Sequence, residues 1–333
     1  MAVPGAAYHD PVMVHEVLEY LCPRSGTIVD ATVGGGGHAR AILDALAARA
    51  AEDRDRTPGL GHDPNSTAEL GHVPTARLLG IDRDPEAVAS AAVQLGELEN
   101  VELMQGSYTD IATFVHRPGF GPVTGVLFDL GVSLHQLVTP GRGFAFDSDG
   151  PIDMRFDQGS DGPTALELLR RTSERNLLDW LRSYGEEPMS GRVARVLHER
   201  RHQLRTTRDL AEAVRRAVPA RFARKALARV FQALRIATNS ELDTVRRGLD
   251  AAVGVMAAGG RLVVLSYHSL EDRIVKECFR AGRIEGRLRI LTAKPLRPGD
   301  DEGARNPRAR SARLRAAEVL VAGVEAKASG GAE

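Results

Sequence analysis

The chain is poor in several residue types that would narrow its class at once. It has two cysteines, Cys22 and Cys278, in 333 residues. That is too few for a disulfide framework or a cysteine-based zinc site. No apolar run approaches the ~20 residues that a membrane-spanning helix needs. The opening residues MAVPGAAYHDPV also lack the apolar stretch of a secretion signal. The expectation is a soluble cytoplasmic protein with no membrane partner and no metal. A hydrophobic fraction of 43% excludes a wholly disordered chain. The length suggests roughly two domains, or one domain with a large insertion.

Net charge is also absent, but only as a sum. Residues 1–140 hold 8 basic and 18 acidic side chains, whereas 141–333 hold 36 and 26. Within 170–235 the counts are 17 basic and 7 acidic. An acidic half joined to a basic half points to an anionic partner for the second half. Yet 40 of the 44 basic residues are arginine. Such a bias also arises from genome composition, so charge alone leaves nucleic-acid contact open.

Strand and helix patterns alternate over the first 130 residues. An apolar run at 27–33 ends in four glycines, and Ile42, Leu43, Leu46 and Ala47 then recur at helical spacing. A second strand, 77–82, leads through Asp84-Pro85 into a helix; Asp84 reads as its N-cap and Pro85 as its first residue. Further strands are predicted at 101–105 and 123–129. Strands separated by helices imply a parallel sheet with right-handed crossovers. Residues 131–163 read as a long loop. From 163 to about 259 the chain is helix-like, with helices at 165–184, 192–202, 209–218 and 241–258. A strand returns at 260–267, a helix follows at 270–281, and 288–292 and 316–321 could form a hairpin-like pair. The reading is one α/β sheet interrupted by a helical domain.

Gly34-Gly-Gly-Gly-His38 stands at a strand end and opens a helix. Glycine there lets backbone approach a ligand, and the helix start offers free N–H groups. Gly34-x-Gly36-x-x-Ala39 also fits a dinucleotide loop, so the pattern does not choose the cofactor. Asp82 ends the second strand, where a carboxylate can accept both hydrogen bonds of a ribose diol. It lies 45 residues beyond Gly37, against a usual spacing of about 20. Residues 52–76, polar and rich in proline and glycine, account for the excess and read as a surface insertion without chemistry.

Taken together, these segments resemble the bacterial 16S rRNA cytosine-N4 methyltransferase family. The matching stretches include Asp30-Ala-Thr-Val-Gly-Gly-Gly-Gly-His38, Gly80-Ile-Asp-Arg-Asp-Pro85, Asp129-Leu-Gly-Val-Ser133 and Arg142-Gly-Phe-Ala-Phe146. Others are His9-Asp-Pro-Val-Met-Val14, Asp149-Gly-Pro-Ile-Asp-Met-Arg155, Ser266-Tyr-His-Ser-Leu-Glu-Asp-Arg273 and Asn306-Pro-Arg-Ala-Arg-Ser311. They run in order over nearly the whole chain. The resemblance implies a class I S-adenosylmethionine (SAM)-dependent methyltransferase, α/β and Rossmann-like, with an inserted helical domain. It places the SAM-binding domain at 1–135 and 240–333 and the inserted substrate-recognition domain at 136–239. It also implies SAM contacts at Gly36, Gly37, His38, Asp82, Tyr108, Asp129 and Gln136. The substrate would be a cytidine of 16S rRNA in the small ribosomal subunit. Two features depart from the family pattern: the 52–76 insertion, and Leu134-His135 in place of Ser-Pro before Gln136.

A cytosine amine is a weak nucleophile, so in-line positioning should supply most of the rate. A hydrogen-bond acceptor near it would orient the lone pair and take up developing charge. The candidates are Asp129, Asp153 and His268; a structural role is weighed equally for the last two. Tyr108, Phe144 and Tyr267 are candidates for stacking on an unpaired base. Arg142, Arg155, Arg235, Arg308 and Arg310 are assigned to RNA. Two other readings stay open on the residues alone: an NAD(P)-dependent oxidoreductase and a non-enzymatic rRNA-binding assembly factor. The oligomeric state, homodimer included, is left open.

Overall fold

The computed structural model describes residues 11–56 and 76–322. The chain forms two compact units: Met1–Gly131 with Val245–Glu333, and Val132–Thr244. Residues 57–75 of the expected insertion, and His9 and Asp10 of the first motif, lie outside the described residues. The start of that insertion is helical, because the helix after the glycine loop runs Gly37–Arg56.

The first unit is built on a seven-stranded sheet. Its strands are β1 (Thr27–Asp30), β2 (Arg77–Asp82), β3 (Val101–Gln105), β4 (Val123–Asp129), β5 (Met256–Ser266), β6 (Leu288–Ile290) and β7 (Arg313–Val319). They lie in the order β3-β2-β1-β4-β5-β7-β6. The first five are parallel, as the alternation of strands and helices implies. β7 runs antiparallel between β5 and β6. The last two strands therefore do pair, but the later one lies inside the sheet. Asp84 accepts a hydrogen bond from Glu86 N with Pro85 at the helix start, as predicted. A helix that the periodicity did not reveal, Val14–Leu21, packs Val17 and Leu21 into the core between left-handed residues Met13 and Cys22.

This topology sets the site. Strand order reverses at β1, whose neighbours are β2 and β4. In an open α/β sheet, ligands bind beyond the carboxyl ends of the strands at such a switch point. Three strands end there in aspartate: Asp30 on β1, Asp82 on β2 and Asp129 on β4.

The second unit is mainly helical, with helices Leu134–Val138, Ala165–Arg171, Glu174–Ser183, Ser190–Arg200, Thr207–Ala217 and Ala223–Asn239. The single helix expected over 165–184 is two. Thr172 leaves the helical conformation, and the Ser173 hydroxyl accepts from Asn176 N to start a new one. The expected loop at 131–163 holds the Leu134–Val138 helix, closed by a capping box of Ser133 and Gln136. Leu169, Leu181, Leu197, Leu210, Val214 and Val230 share one buried cluster. Fully burying such side chains gives each about 1.5–3 kcal/mol, an upper figure because unfolded chains already hide some surface.

Candidate active site at the strand ends

The glycine loop turns through left-handed conformations at Gly34 (φ 51°) and Gly36 (φ 89°), which side-chain-bearing residues rarely adopt. Gly34 N donates to Asp82 Oδ2 at 3.0 Å and Asp84 N to Asp82 Oδ1 at 2.9 Å. Asp82 thus fastens the loop to the end of β2. The Arg83 N–H also bonds this carboxylate, whose acceptor capacity of about four lone pairs is not exhausted by three donors. Burial pushes the Asp82 carboxyl up to about 6, although these N–H groups pull it down.

Asp30 is more extreme. It is 1% exposed, and Oδ1 accepts from Thr32 N at 3.2 Å. Its Oδ2 is buried and has no hydrogen-bond partner among the described residues. Burial pushes this carboxyl up to about 7; His38 opposes the rise, and the charges of Asp129 and Asp82 add to it. A buried polar atom without a partner costs free energy and marks a place that a ligand can complete.

Asp129 sits between the side chains of Tyr267 and His38. Its backbone N donates to Thr32 Oγ1 at 2.6 Å, which fixes the end of β4 against the loop. The Tyr267 hydroxyl donates to Asp129 Oδ1 at 2.7 Å. Burial, then the charge of Asp129, hold the Tyr267 hydroxyl well above its ordinary range, so it remains a donor. Arg308 faces both groups; burial lowers its own basicity while Tyr267 and Asp129 oppose that. On the other side, His38 Nδ1 stands 3.5 Å from Asp129 Oδ2. His38 Nε2 lies 2.9 Å from the Val12 carbonyl.

The remaining candidates have local tasks. His268 caps the helix Ser269–Ile284: its Nδ1 accepts from Glu271 N at 3.3 Å, and Nε2 stands 3.1 Å from Glu271 Oε1. Its Nδ1 is thus used as a helix cap. Asp153, in the helical unit, accepts two bonds from the Arg155 guanidinium at 2.8 and 3.0 Å and one from Gln158 Nε2 at 3.1 Å. Burial alone would raise its carboxyl, but these donors hold it below the usual range. It too is spent on structure. Gln136 is 5% exposed, and its Oε1 accepts from Ser133 N at 3.0 Å. Tyr108 packs edge-on against Phe128 at 5.2 Å, in the sheet unit.

The arginines assigned to RNA divide. Arg142 is 2% exposed and donates to the Arg155 and Phe156 carbonyls, Arg155 is clamped by Asp153, and Arg235 makes a two-point bond to Glu241 at 2.7 and 2.8 Å. These three hold the helical unit together. Arg308 belongs to the Asp129 cluster. Arg310 is exposed, with Nε on the Gly303 carbonyl at 2.8 Å. Phe144 lines a cavity of about 300 Å³ in the helical unit with Phe146, Phe231 and Gln232. Sequence reading gave no role to Asp30, although its place just before the glycine loop was a visible signal, and it assigned Tyr267 to stacking.

The residues present suit SAM. The left-handed glycines let the loop backbone pass close to a ligand, and the start of the Gly37–Arg56 helix offers N–H groups to its carboxylate. The buried Asp30 oxygen and the strand-end carboxylates suit its cationic parts, and Asp82 suits its ribose. A dinucleotide would bring a pyrophosphate dianion to this acidic edge, which disfavours the oxidoreductase reading. The fold and site define a class I methyltransferase, and SAM is its cofactor.

Within that class, the chain belongs to the MraW methylase family, which matches residues 6–59 and 55–320. The two matched stretches meet inside the 52–76 insertion. The chain is 41% identical to Ribosomal RNA small subunit methyltransferase H of Thermomicrobium roseum, over 95% of each chain. It is 46% identical to the protein of that name from Methylococcus capsulatus, over 93% of this chain and 100% of the other. The counterpart in Sorangium cellulosum is 44% identical, over 98% and 95%.

Proposed function

We propose that this enzyme methylates the exocyclic N4 amine of a cytidine in the decoding region of 16S rRNA, acting in the cytoplasm on the small ribosomal subunit. What supports this reading most is its relatives: proteins named as small-subunit rRNA methyltransferases align with 93–98% of the chain. The loop backbone at Gly36 and Gly37 and the opening N–H groups of the Gly37–Arg56 helix would hold the methionine end of SAM, and Asp82 its ribose. When bound, SAM supplies an electrophilic methyl on a sulfonium whose departure needs no acid. Asp129 receives a hydrogen bond from the target amine and so turns the nitrogen lone pair outward. Tyr267 and Thr32 keep the carboxylate in register while it does so.

The helical unit recognises RNA through exposed cations. Arg215, Arg221, Arg224 and Lys225 cluster at the turn between two helices beside the half-exposed Phe222, whose ring carries Arg221 at 4.8 Å. Cations beside an aromatic face suit single-stranded RNA.

The test is methyl transfer to small subunits from a strain lacking the enzyme, followed by nucleoside mass spectrometry. N4-methylcytidine in the decoding region is the expected product. Methyl on a ring carbon, on a ribose or nowhere in the RNA would overturn the proposal.

A further inference from the structure

His38 carries more than a place in the cofactor loop. Its ring is 6% exposed and held at both nitrogens by fixed groups. The Val12 carbonyl, 2.9 Å from Nε2, can only accept a hydrogen bond, so Nε2 must carry the hydrogen. In the neutral ring this leaves Nδ1 as a bare lone pair facing Asp129 Oδ2 at 3.5 Å. A lone pair facing an ionised carboxylate is an arrangement that one proton would complete.

The reaction releases such a proton. After the methyl has moved, the target nitrogen bears one hydrogen too many. An N–H bond must break, its electron pair stays on nitrogen, and the proton leaves. Asp129 Oδ1 already accepts from the Tyr267 hydroxyl, so Oδ2 is the oxygen open to that proton. We propose that His38 acts through Asp129 as the residue that holds the departing proton: Oδ2 takes it from the amine and passes it to His38 Nδ1. The product of the step is an imidazolium against a carboxylate, with both ring N–H groups satisfied, by Val12 and by Asp129. No further reactant is needed. His38 is a positioning residue for the base, and the inference rests on Asp129 facing the amine.

The charges around this pair favour the transfer. Asp30 on β1 attracts a charged His38, with Asp82 behind it. On the far side of Asp129 stand the Tyr267 hydroxyl, which donates to it, and the Arg308 guanidinium. Asp30 and Asp129 thus both bear on the imidazole, while the Tyr267 hydroxyl and Arg308 bear on Asp129.

Two measurements test this. Nitrogen-15 NMR of histidine-labelled, SAM-free protein reads the tautomer directly. The expected spectrum of the neutral ring has the hydrogen on Nε2 and a bare Nδ1, and Asp129→Asn makes protonation of Nδ1 harder. Hydrogen on Nδ1 instead, or a titration indifferent to Asp129→Asn, would overturn the relay. The second is single-turnover methyl transfer by His38→Gln, whose amide can still donate to Val12 but cannot take a proton. The rate at saturating SAM should fall at least about tenfold and the low-pH limb of its profile should change. An unchanged rate and limb would sink His38 while leaving Asp129 in place. If Asp129→Asn were also silent, the proposed function of the site would fall with it.

Discussion

The two units treat buried carboxylates in opposite ways. In the helical unit, Asp153 is closed by the Arg155 guanidinium and Gln158, and Glu241 by Arg235. Each charge is paid for within the fold, and Asp153 ionises more readily than usual despite burial. In the sheet unit, Asp30 and Asp82 end parallel strands and are met by backbone N–H groups from Thr32, Gly34 and Asp84. Both are pushed up, Asp30 to about 7 and Asp82 to about 6. The first arrangement fixes a shape. The second is incomplete without a cation, and SAM brings one.

The largest test of that contrast is Asp30→Asn. Its carboxyl sits at about 7 in the folded chain and near 3.9 when unfolded. Between those values the folded state binds more protons, so stability falls as pH rises from about 4 to about 7. Asparagine keeps the acceptor for Thr32 N and removes the charge. The variant should therefore be more stable at pH 8, by at most about 4 kcal/mol, and barely changed at pH 4. Its SAM affinity should fall at the same time. Urea denaturation at both pH values checks the first part and calorimetry the second. A variant less stable at pH 8 would mean that the Asp30 charge is already compensated inside the fold.

Asp153→Ala should have the opposite sign. It strips two hydrogen bonds from the Arg155 guanidinium, whose side chain is 18% exposed. Hydrogen bonds to charged groups are worth about 1.5–3 kcal/mol each way, so a loss of about 2–3 kcal/mol is expected. The single-turnover rate of the remaining folded protein, at saturating SAM, should stay within about threefold of the parent. A rate loss beyond about a hundredfold at full folding would return Asp153 to the list of bases.

What the sequence disclosed follows from the range of each interaction. The parallel strands, the Asp84-Pro85 helix start and the glycine loop are local patterns and were found, although β5 starts at Met256, inside the stretch read as helix to 258. Asp82 and Asp129 were legible because a strand end is a local event. The position of β7 between β5 and β6 was not, since periodicity gives a strand but not its neighbours. The break at Thr172-Ser173 left a signal that was passed over, a serine able to cap. The Asp129 cluster was the least legible part. Tyr267 reaches it across 138 residues, and His38 meets Val12 across 26. Only the folded sheet brings those groups together.

The smallest expected effect falls on His268, and it tests whether a histidine beside the site belongs to the site. Its Nδ1 holds Glu271 N, while the Glu271 carboxylate accepts from Tyr267 N at 2.9 Å and from His268 N at 3.3 Å. His268→Ala removes the cap and the Nε2 contact with Glu271 Oε1 at 3.1 Å, but keeps the two backbone N–H groups on Glu271 Oε2. Losing a helix cap costs about 1 kcal/mol. His268→Asn can replace the lost acceptor and should recover most of that. Neither variant should slow single-turnover transfer more than about threefold, since Glu271 still holds Tyr267 N and the Tyr267 hydroxyl still donates to Asp129. Thermal denaturation of the pair, read beside their rates, separates the two roles. A slow His268→Asn with normal stability would mean that the imidazole itself takes part in the chemistry, and that the sheet unit keeps a second proton acceptor besides the His38–Asp129 pair.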